Sequence, residues 1–294
     1  MHQLLLQQQQ LLLHKDNLIK ISVLNPVRFR AGFFYYFCFM LLTDTHTHLY
    51  YETDEEKQAL LFQRCFENKV ERLFLPNVDV SSIAKIDELV RKYPENCFAM
   101  SGLHPCDVKE GYEEVLQEIY ASIGSRKIYA IGEIGIDLYW DKTTLGMQQD
   151  AFTEQIKWAK AMQLPIVIHC REAFDEVFEI LEAEKGADLR GILHCFTGNL
   201  EQARKTIDLG FYLGIGGVVT YKKAGLDEVL SHIPLEHLVL ETDSPYLAPV
   251  PFRGKPNESS YLVHIAQKVA DIYHISIEEV AEITTANSFK IFNV

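Results

Sequence analysis

The sequence predicts an α/β protein folded as a single (β/α)8 barrel domain. Three observations predict it. Short β-rich apolar segments alternate with amphipathic helical segments from Leu41 onward; the strand segments number eight; and no G-x-G-x-x-G or Walker-type loop follows the first of them. Eight consecutive βα units close more naturally into a barrel than into an open sheet, and barrels commonly reach the length of this chain of 294 residues as one unit. The missing glycine loop argues against a nicotinamide or ATP cofactor.

In chain order the strands are expected at residues 42–48, 72–77, 98–103, 130–134, 166–169, 191–195, 212–216 and 238–242. Between the fourth and fifth, Ala151, Phe152, Ile156, Ala159 and Met162 recur at helical spacing across residues 147–162, and Pro165 stops the helix. Ser276 and Glu279 are spaced as a capping box that opens the last helix.

Residues 1–39 read differently from residues 40–294. They carry a Leu/Gln tract, a basic patch (Lys15, Lys20, Arg28, Arg30) and an aromatic run, without a clean period. The apolar stretch 31–42 is shorter than the ~20 residues of a membrane-spanning helix, and no small-residue cleavage site marks a signal peptide. Translation from Met40 would give a chain close to the ~250 residues usual for this barrel. The expectation is therefore that 1–39 is an extension outside the fold and that no membrane is involved.

A hydrophobic fraction of 48% and a charged fraction of 23% suit a globular chain with a sizeable core. Six cysteines without a C-x-x-C pair suggest reduced thiols in a cytoplasm-like compartment. The formal charge of -13 argues against gripping long duplex nucleic acid by phosphate neutralisation. It leaves room for a nuclease whose bound divalent ions supply local positive charge.

In such a barrel the working side chains stand at the C-terminal strand ends. There the sequence places His46 and His48 at the end of strand one, Glu133 at the end of four, His169 at the end of five, His194 at the end of six and Asp243 directly after eight. Alternation puts His46 and His48 on one face. One strand-end histidine is usually a hydrogen-bonded structural residue. Four imidazoles and two carboxylates converging from five strands instead form a mixed N/O set suited to zinc, manganese, magnesium, nickel or iron. Six groups exceed what one tetrahedral ion takes and fit two ions bridged by a carboxylate. His104, at the same rim, is expected to touch substrate or water. Arg171, Arg253 and Lys255 are expected to orient a phosphate, a reading that the place of the last two beside Asp243 favours over a merely solvated loop. Cys170 and Cys195 alternate with His169 and His194 and should face the helix layer. His2, His14, His232, His237, His264 and His274 fall away from the rim and are expected to be solvated or core residues.

The ordered segments Asp44-Thr45-His46-Thr47-His48-Leu49, Gly102-Leu103-His104-Pro105, Gly132-Glu133-Ile134-Gly135-Ile136-Asp137, His169-Cys170-Arg171, His194-Cys195-Phe196-Thr197-Gly198 and Glu241-Thr242-Asp243-Ser244-Pro245-Tyr246, running on into Pro251 to Pro256, resemble the TatD family of metal-dependent deoxyribonucleases within the amidohydrolase superfamily. The resemblance covers nearly all of residues 41–294. It implies that Glu133 bridges two metals, that His46, His48 and Asp243 complete one site and His169 and His194 the other, and that Asp243 is the general base. It further implies cleavage of DNA phosphodiesters from an end, in the cytoplasm. Thr47 stands where the family often has Cys. A second function class is hydrolysis of an ester or amide, such as removal of a misattached D-amino acid from tRNA, because the same chemistry attacks carbonyls. A third, a non-catalytic metal-binding scaffold, is disfavoured by the complete ligand set. Tyr139 and Trp140 are the candidates for stacking on a base.

Overall fold

The first strand shows why this chain closes. In the computed structural model, which describes residues 40–186 and 188–294, β1 (Leu42–Asp44) is wholly buried and pairs in parallel with β2 (Val70–Leu75), which pairs with β3 (Cys97–Ala99). A second parallel arc runs β4 (Ile131–Asp137), β5 (Ile166–Arg171), β6 (Gly191–Leu193), β7 (Phe211–Ile215) and β8 (Leu238–Leu240). Two seams join the arcs into a barrel. At one, the Ser101 N–H donates to the Ala130 carbonyl (3.1 Å) and the Gly132 N–H to the Ser101 carbonyl (2.9 Å). At the other, the Thr45 N–H reaches Leu240 O (3.0 Å) and the Asp243 N–H reaches His46 O (2.9 Å). The second seam sets His46 and Asp243 side by side.

Helices cross between the strands: α1 (Glu55–Glu67), α2 (Val80–Lys92), α3 (Tyr112–Ile123), α4 (Leu145–Met162), α5 (Phe174–Ala183), α6 (Leu200–Asp208) and α7 (Leu226–Leu230), with α8 (Leu262–Tyr273) and α9 (Ile277–Phe292) after β8. Their starts are written in short polar side chains that satisfy otherwise orphaned N–H groups. Asp54 accepts from Glu56 and Lys57, Asp79 and Ser82 form a full capping box, and Ser276 accepts from the Glu279 N–H as its spacing predicts.

The barrel interior is filled from its N-terminal end. Phe74, Phe98, Met100, Val167, Ile192 and Val239 point inward, as strand alternation demands, and Phe292 from α9 stacks on Phe74 at 3.8 Å to close the floor. Leu73, Leu75, Ile166, Ile168, Leu213 and Leu240 face the helices in the larger outer core.

All eight expected strands are present, but several ladders stop earlier than alternation alone suggests. β1 ends at Asp44, β6 at Leu193 and β8 at Leu240, so His46, His48, His194 and Asp243 lie on segments just past the sheet. The reason is local: the His48 N–H donates to Ser244 O (2.8 Å), the Asp243 N–H to His46 O (2.9 Å) and the His46 N–H to the Asp44 carboxylate (3.3 Å), whereas the His194 N–H still reaches Ile168 O (3.0 Å) on the neighbouring strand, and side chains take part as well. Asp44, for example, accepts from the N–H (2.9 Å) and hydroxyl (2.5 Å) of Thr242. The expectations for residues 1–39, including a start at Met40, fall outside the described residues. Among the described residues no helix is long and apolar enough to cross a membrane.

Candidate metal centre

The rim side chains are held by groups that the helices bring to them. β2 runs on to Asn77, whose N–H and carbonyl pair with Gly132 O (3.1 Å) and the Glu133 N–H (3.0 Å), fixing Glu133 at the barrel mouth. Two buried glutamines of α4 then fasten the neighbouring strand ends. Gln155 accepts from the Leu103 N–H (2.7 Å), beside His104, and Gln148 accepts from the Asp137 N–H (2.8 Å). A buried amide that is fully paired in this way favours one backbone arrangement over its competitors.

Glu133 occupies the centre. Its Oε1 lies 2.8 Å from His194 Nε2 and 2.9 Å from His169 Nδ1, and those two nitrogens are 3.4 Å apart. Its Oε2 lies 3.2 Å from His46 Nε2 and 3.7 Å from His48 Nε2. Asp243 Oδ1 completes that side, 3.4 Å from His48 Nε2 and 3.8 Å from His46 Nε2. The two oxygens of one carboxylate thus face two different histidine pairs.

Hydrogen bonds behind the rings fix which nitrogen carries a lone pair. The Tyr50 hydroxyl donates to Pro76 O (2.8 Å), so it accepts from His48 Nδ1 (2.8 Å), leaving Nε2 free toward Glu133 and Asp243. Asp137 Oδ2 sits 2.8 Å from His169 Nε2 and leaves Nδ1 facing inward. Behind His194, Glu241 Oε1 stands 3.5 Å from Nδ1 and accepts from the Cys195 N–H. His46 Nε2 is buried and has no hydrogen-bond partner, although two carboxylates surround it. A buried imidazole nitrogen aimed at carboxylates without a bond to either fits a divalent ion between them. The donor set, imidazole and carboxylate throughout, fits as well.

Glu133, Asp243 and His46 each carry the charge state that ligation requires. Burial opposes ionisation of Glu133, but the imidazoles of His194, His104 and His46 outweigh it and hold the carboxyl well below its usual range. Asp243 is likewise lowered: burial pushes it up, and the contacts with His48 and His46 overcome that. Burial, reinforced by His194, lowers His46 and keeps it neutral, the form that ligates. His194 is raised well above an ordinary histidine, because the Glu133 and Glu241 carboxylates overcome its burial. Asp137 is drawn down to about 2: its burial is outweighed by the bond to His169 and the two backbone N–H groups of Tyr139 and Trp140.

The six expected ligands therefore meet in one place, and residues 46, 48 and 243, residues 46, 133 and 194, and residues 104, 133 and 169 each form a group whose donor atoms lie close enough for one ion. His104 is a special case. Its Nδ1 accepts from the Cys106 N–H (3.1 Å), so the neutral ring carries its proton on Nε2, 3.4 Å from Glu133 Oε1. It faces the centre as a donor, which suits contact with substrate or water better than ligation.

Arg171 lines the cavity above the centre, a space of about 700 Å³, and among the described residues it is the one Lys or Arg that does so. Arg253 and Lys255 are exposed and outside that lining, with the Arg253 guanidinium 4.5 Å over the Tyr221 ring. Cys170 packs against the outer core as expected yet also lines the cavity. Cys195 departs further. It follows the end of β6 with a φ of 46°, so strand alternation no longer applies, and it too lines the cavity. Neither thiol belongs to a ligand group. Sequence reasoning gave no role to Asp137 and Glu241. Asp137 had a signal, since it stands four residues after Glu133 on the same strand face.

A (β/α)8 barrel gathering imidazoles and carboxylates at its C-terminal rim defines a metal-dependent hydrolase. The chain matches the family model described as TatD related DNase over residues 43–293, and it belongs to that family. It is 40% identical over 258 residues to the metal-dependent hydrolase YabD of Bacillus subtilis, covering 86% of this chain and 100% of that protein. It is 34% identical over 237 residues to the 3'-5' ssDNA/RNA exonuclease TatD of Salmonella typhimurium, covering 79% and 91%. The crystal structure of YjjV, a TatD homologue from Escherichia coli, superposes with a TM-score of 0.81 at 28% identity, covering 86% of this chain and 98% of that one.

Proposed function

We propose that this chain is a two-metal exonuclease that hydrolyses phosphodiester bonds at single-stranded or frayed DNA ends. The observation that carries the proposal is Glu133, whose Oε2 faces His46 and His48 while its Oε1 faces His169 and His194. Glu133 would hold two ions together, one with His46, His48 and Asp243 and the other with His169 and His194. Two divalent ions held there would activate a water and neutralise charge on the scissile phosphate. Asp243, ionised at neutral pH, accepts the water's proton as general base. His104 Nε2 donates toward the reacting phosphate, and Arg171 binds an adjacent one. Asp137 and Glu241 orient the rings of His169 and His194. The named activity of the Salmonella relative supports the substrate class.

The test is cleavage of end-labelled single-stranded DNA with manganese or magnesium added, beside Glu133→Ala protein and an aminoacyl-ester substrate. Glu133-dependent ladders of shortened DNA are expected. Intact DNA with turnover of the ester would replace this reading by the deacylase class.

A further inference from the structure

Nine large apolar side chains are exposed among the described residues, and four of them, Tyr51, Trp140, Tyr246 and Leu247, line the one cavity above the metal centre. Scattered exposed apolar residues need no explanation, but a concentration at one mouth does. Trp140 is 70% exposed and Tyr246 52%. Trp140 follows β4, whereas Tyr51 and Tyr246 follow β1 and β8. In a closed eight-strand barrel β4 stands across from β8, so these rings rise from facing walls.

Neither wall is loose. Asp137 Oδ1 accepts from the N–H groups of Tyr139 (2.9 Å) and Trp140 (3.3 Å), and the Arg171 guanidinium lies 3.7 Å over the Tyr139 ring and 5.6 Å from that of Trp140. Opposite, Tyr51 stacks on His48 at 5.3 Å and Tyr246 meets the same ring edge-on at 5.9 Å. The aromatic walls are thus tied to the residues that hold the centre.

We infer that Trp140 on one wall and Tyr246 with Tyr51 on the other form a clamp that takes the unpaired terminal bases of a strand by stacking. The inference rests on the nuclease reading and adds how the end is chosen. The cavity lining carries Asp107, Glu133, Asp137 and Asp243 against one arginine, so phosphates are attracted at the metal centre and little elsewhere. Affinity then comes from base faces, which stack on aromatic rings whatever their sequence. A paired end offers no free face, so the clamp selects unpaired strands. The cavity volume is that of a site for a ligand of small-molecule size, suiting one or two nucleotides.

The test pairs protein and substrate changes. Trp140→Ala and Tyr246→Ala proteins are compared with wild type on a single-stranded oligonucleotide and on the same strand with abasic terminal positions. Loss of one stack is expected to raise KM for base-bearing ends by about tenfold. The preference for base-bearing over abasic ends should shrink accordingly, and Trp140→Phe should restore most of it. Binding supplies an independent readout: a nuclease-resistant phosphorothioate strand should quench the emission that Trp140→Phe removes. If wild type neither binds nor cuts the strand, the nuclease reading falls and the clamp with it. If wild type cuts but both alanine variants keep its base-to-abasic ratio and the strand leaves Trp140 emission unchanged, the clamp alone is wrong.

Discussion

Asp137 holds His169 from behind: its Oδ2 lies 2.8 Å from Nε2, while Nδ1 of the same ring faces Glu133 Oε1 at 2.9 Å. Asp137→Asn keeps an oxygen for the Tyr139 and Trp140 N–H groups but loses the charge that fixes the ring. Affinity for a metal ion at His169 should fall by about 10- to 100-fold, the range usual for loss of a carboxylate behind a ligating histidine. Manganese titration of the variant checks this. Unchanged metal affinity would remove Asp137 from the centre.

Gly214 on β7 has no room for a side chain. A Cβ there would lie 2.3 Å from Glu241 Oε2 and 2.9 Å from the His194 Cα. Gly214→Ala should displace Glu241, weaken metal binding and destabilise the fold by about 1–3 kcal/mol, the usual effect of overpacking. Thermal melts with and without manganese would show it as a lower Tm and a smaller metal-induced rise.

Arg64 on α1 binds Glu258 through two contacts of 2.7 and 2.6 Å, tying the helix to the loop that precedes α8. Burial raises the Glu258 carboxyl, but Arg64 and Ser260 outweigh it and hold it below the usual 4.5. A lowered carboxylate stabilises the fold above its unfolded value and loses that contribution as pH falls through its folded value. Because Arg64 is 42% exposed, the pair is screened and should contribute about 1 kcal/mol. Wild type should therefore melt above Glu258→Gln at neutral pH, and the gap should close below pH 4.5. A gap independent of pH would contradict the assignment.

At the barrel floor, Phe292 is buried and stacks on Phe74. Phe292→Ala should cost about 3–5 kcal/mol by opening a cavity. The metal centre is at the opposite end, so manganese affinity at a temperature where the variant is folded should match wild type. Calorimetry on both proteins separates the two effects.

The eight strands and six rim residues were legible because apolar alternation and strand-end position are written along the chain. What lies across the barrel was not. That Glu241 backs His194 depends on β6 and β8 flanking β7, and that Asn77 clamps Glu133 depends on β2 running on past its ladder. Arg253 and Lys255 looked suited to a phosphate because they follow Asp243 closely in sequence, yet their loop carries them outside the cavity lining. Cys195 was misplaced because alternation was extended past Leu193, where β6 stops.

The central claim is that Glu133 joins two ions. Calorimetric titration of metal-free protein with manganese tests it most directly, wild type beside Glu133→Gln. Two ions per chain are predicted for wild type, with both weakened together in the variant, because each carboxylate oxygen serves a different histidine pair. A single ion in wild type, or a variant that still binds two with unchanged affinity, would contradict the account.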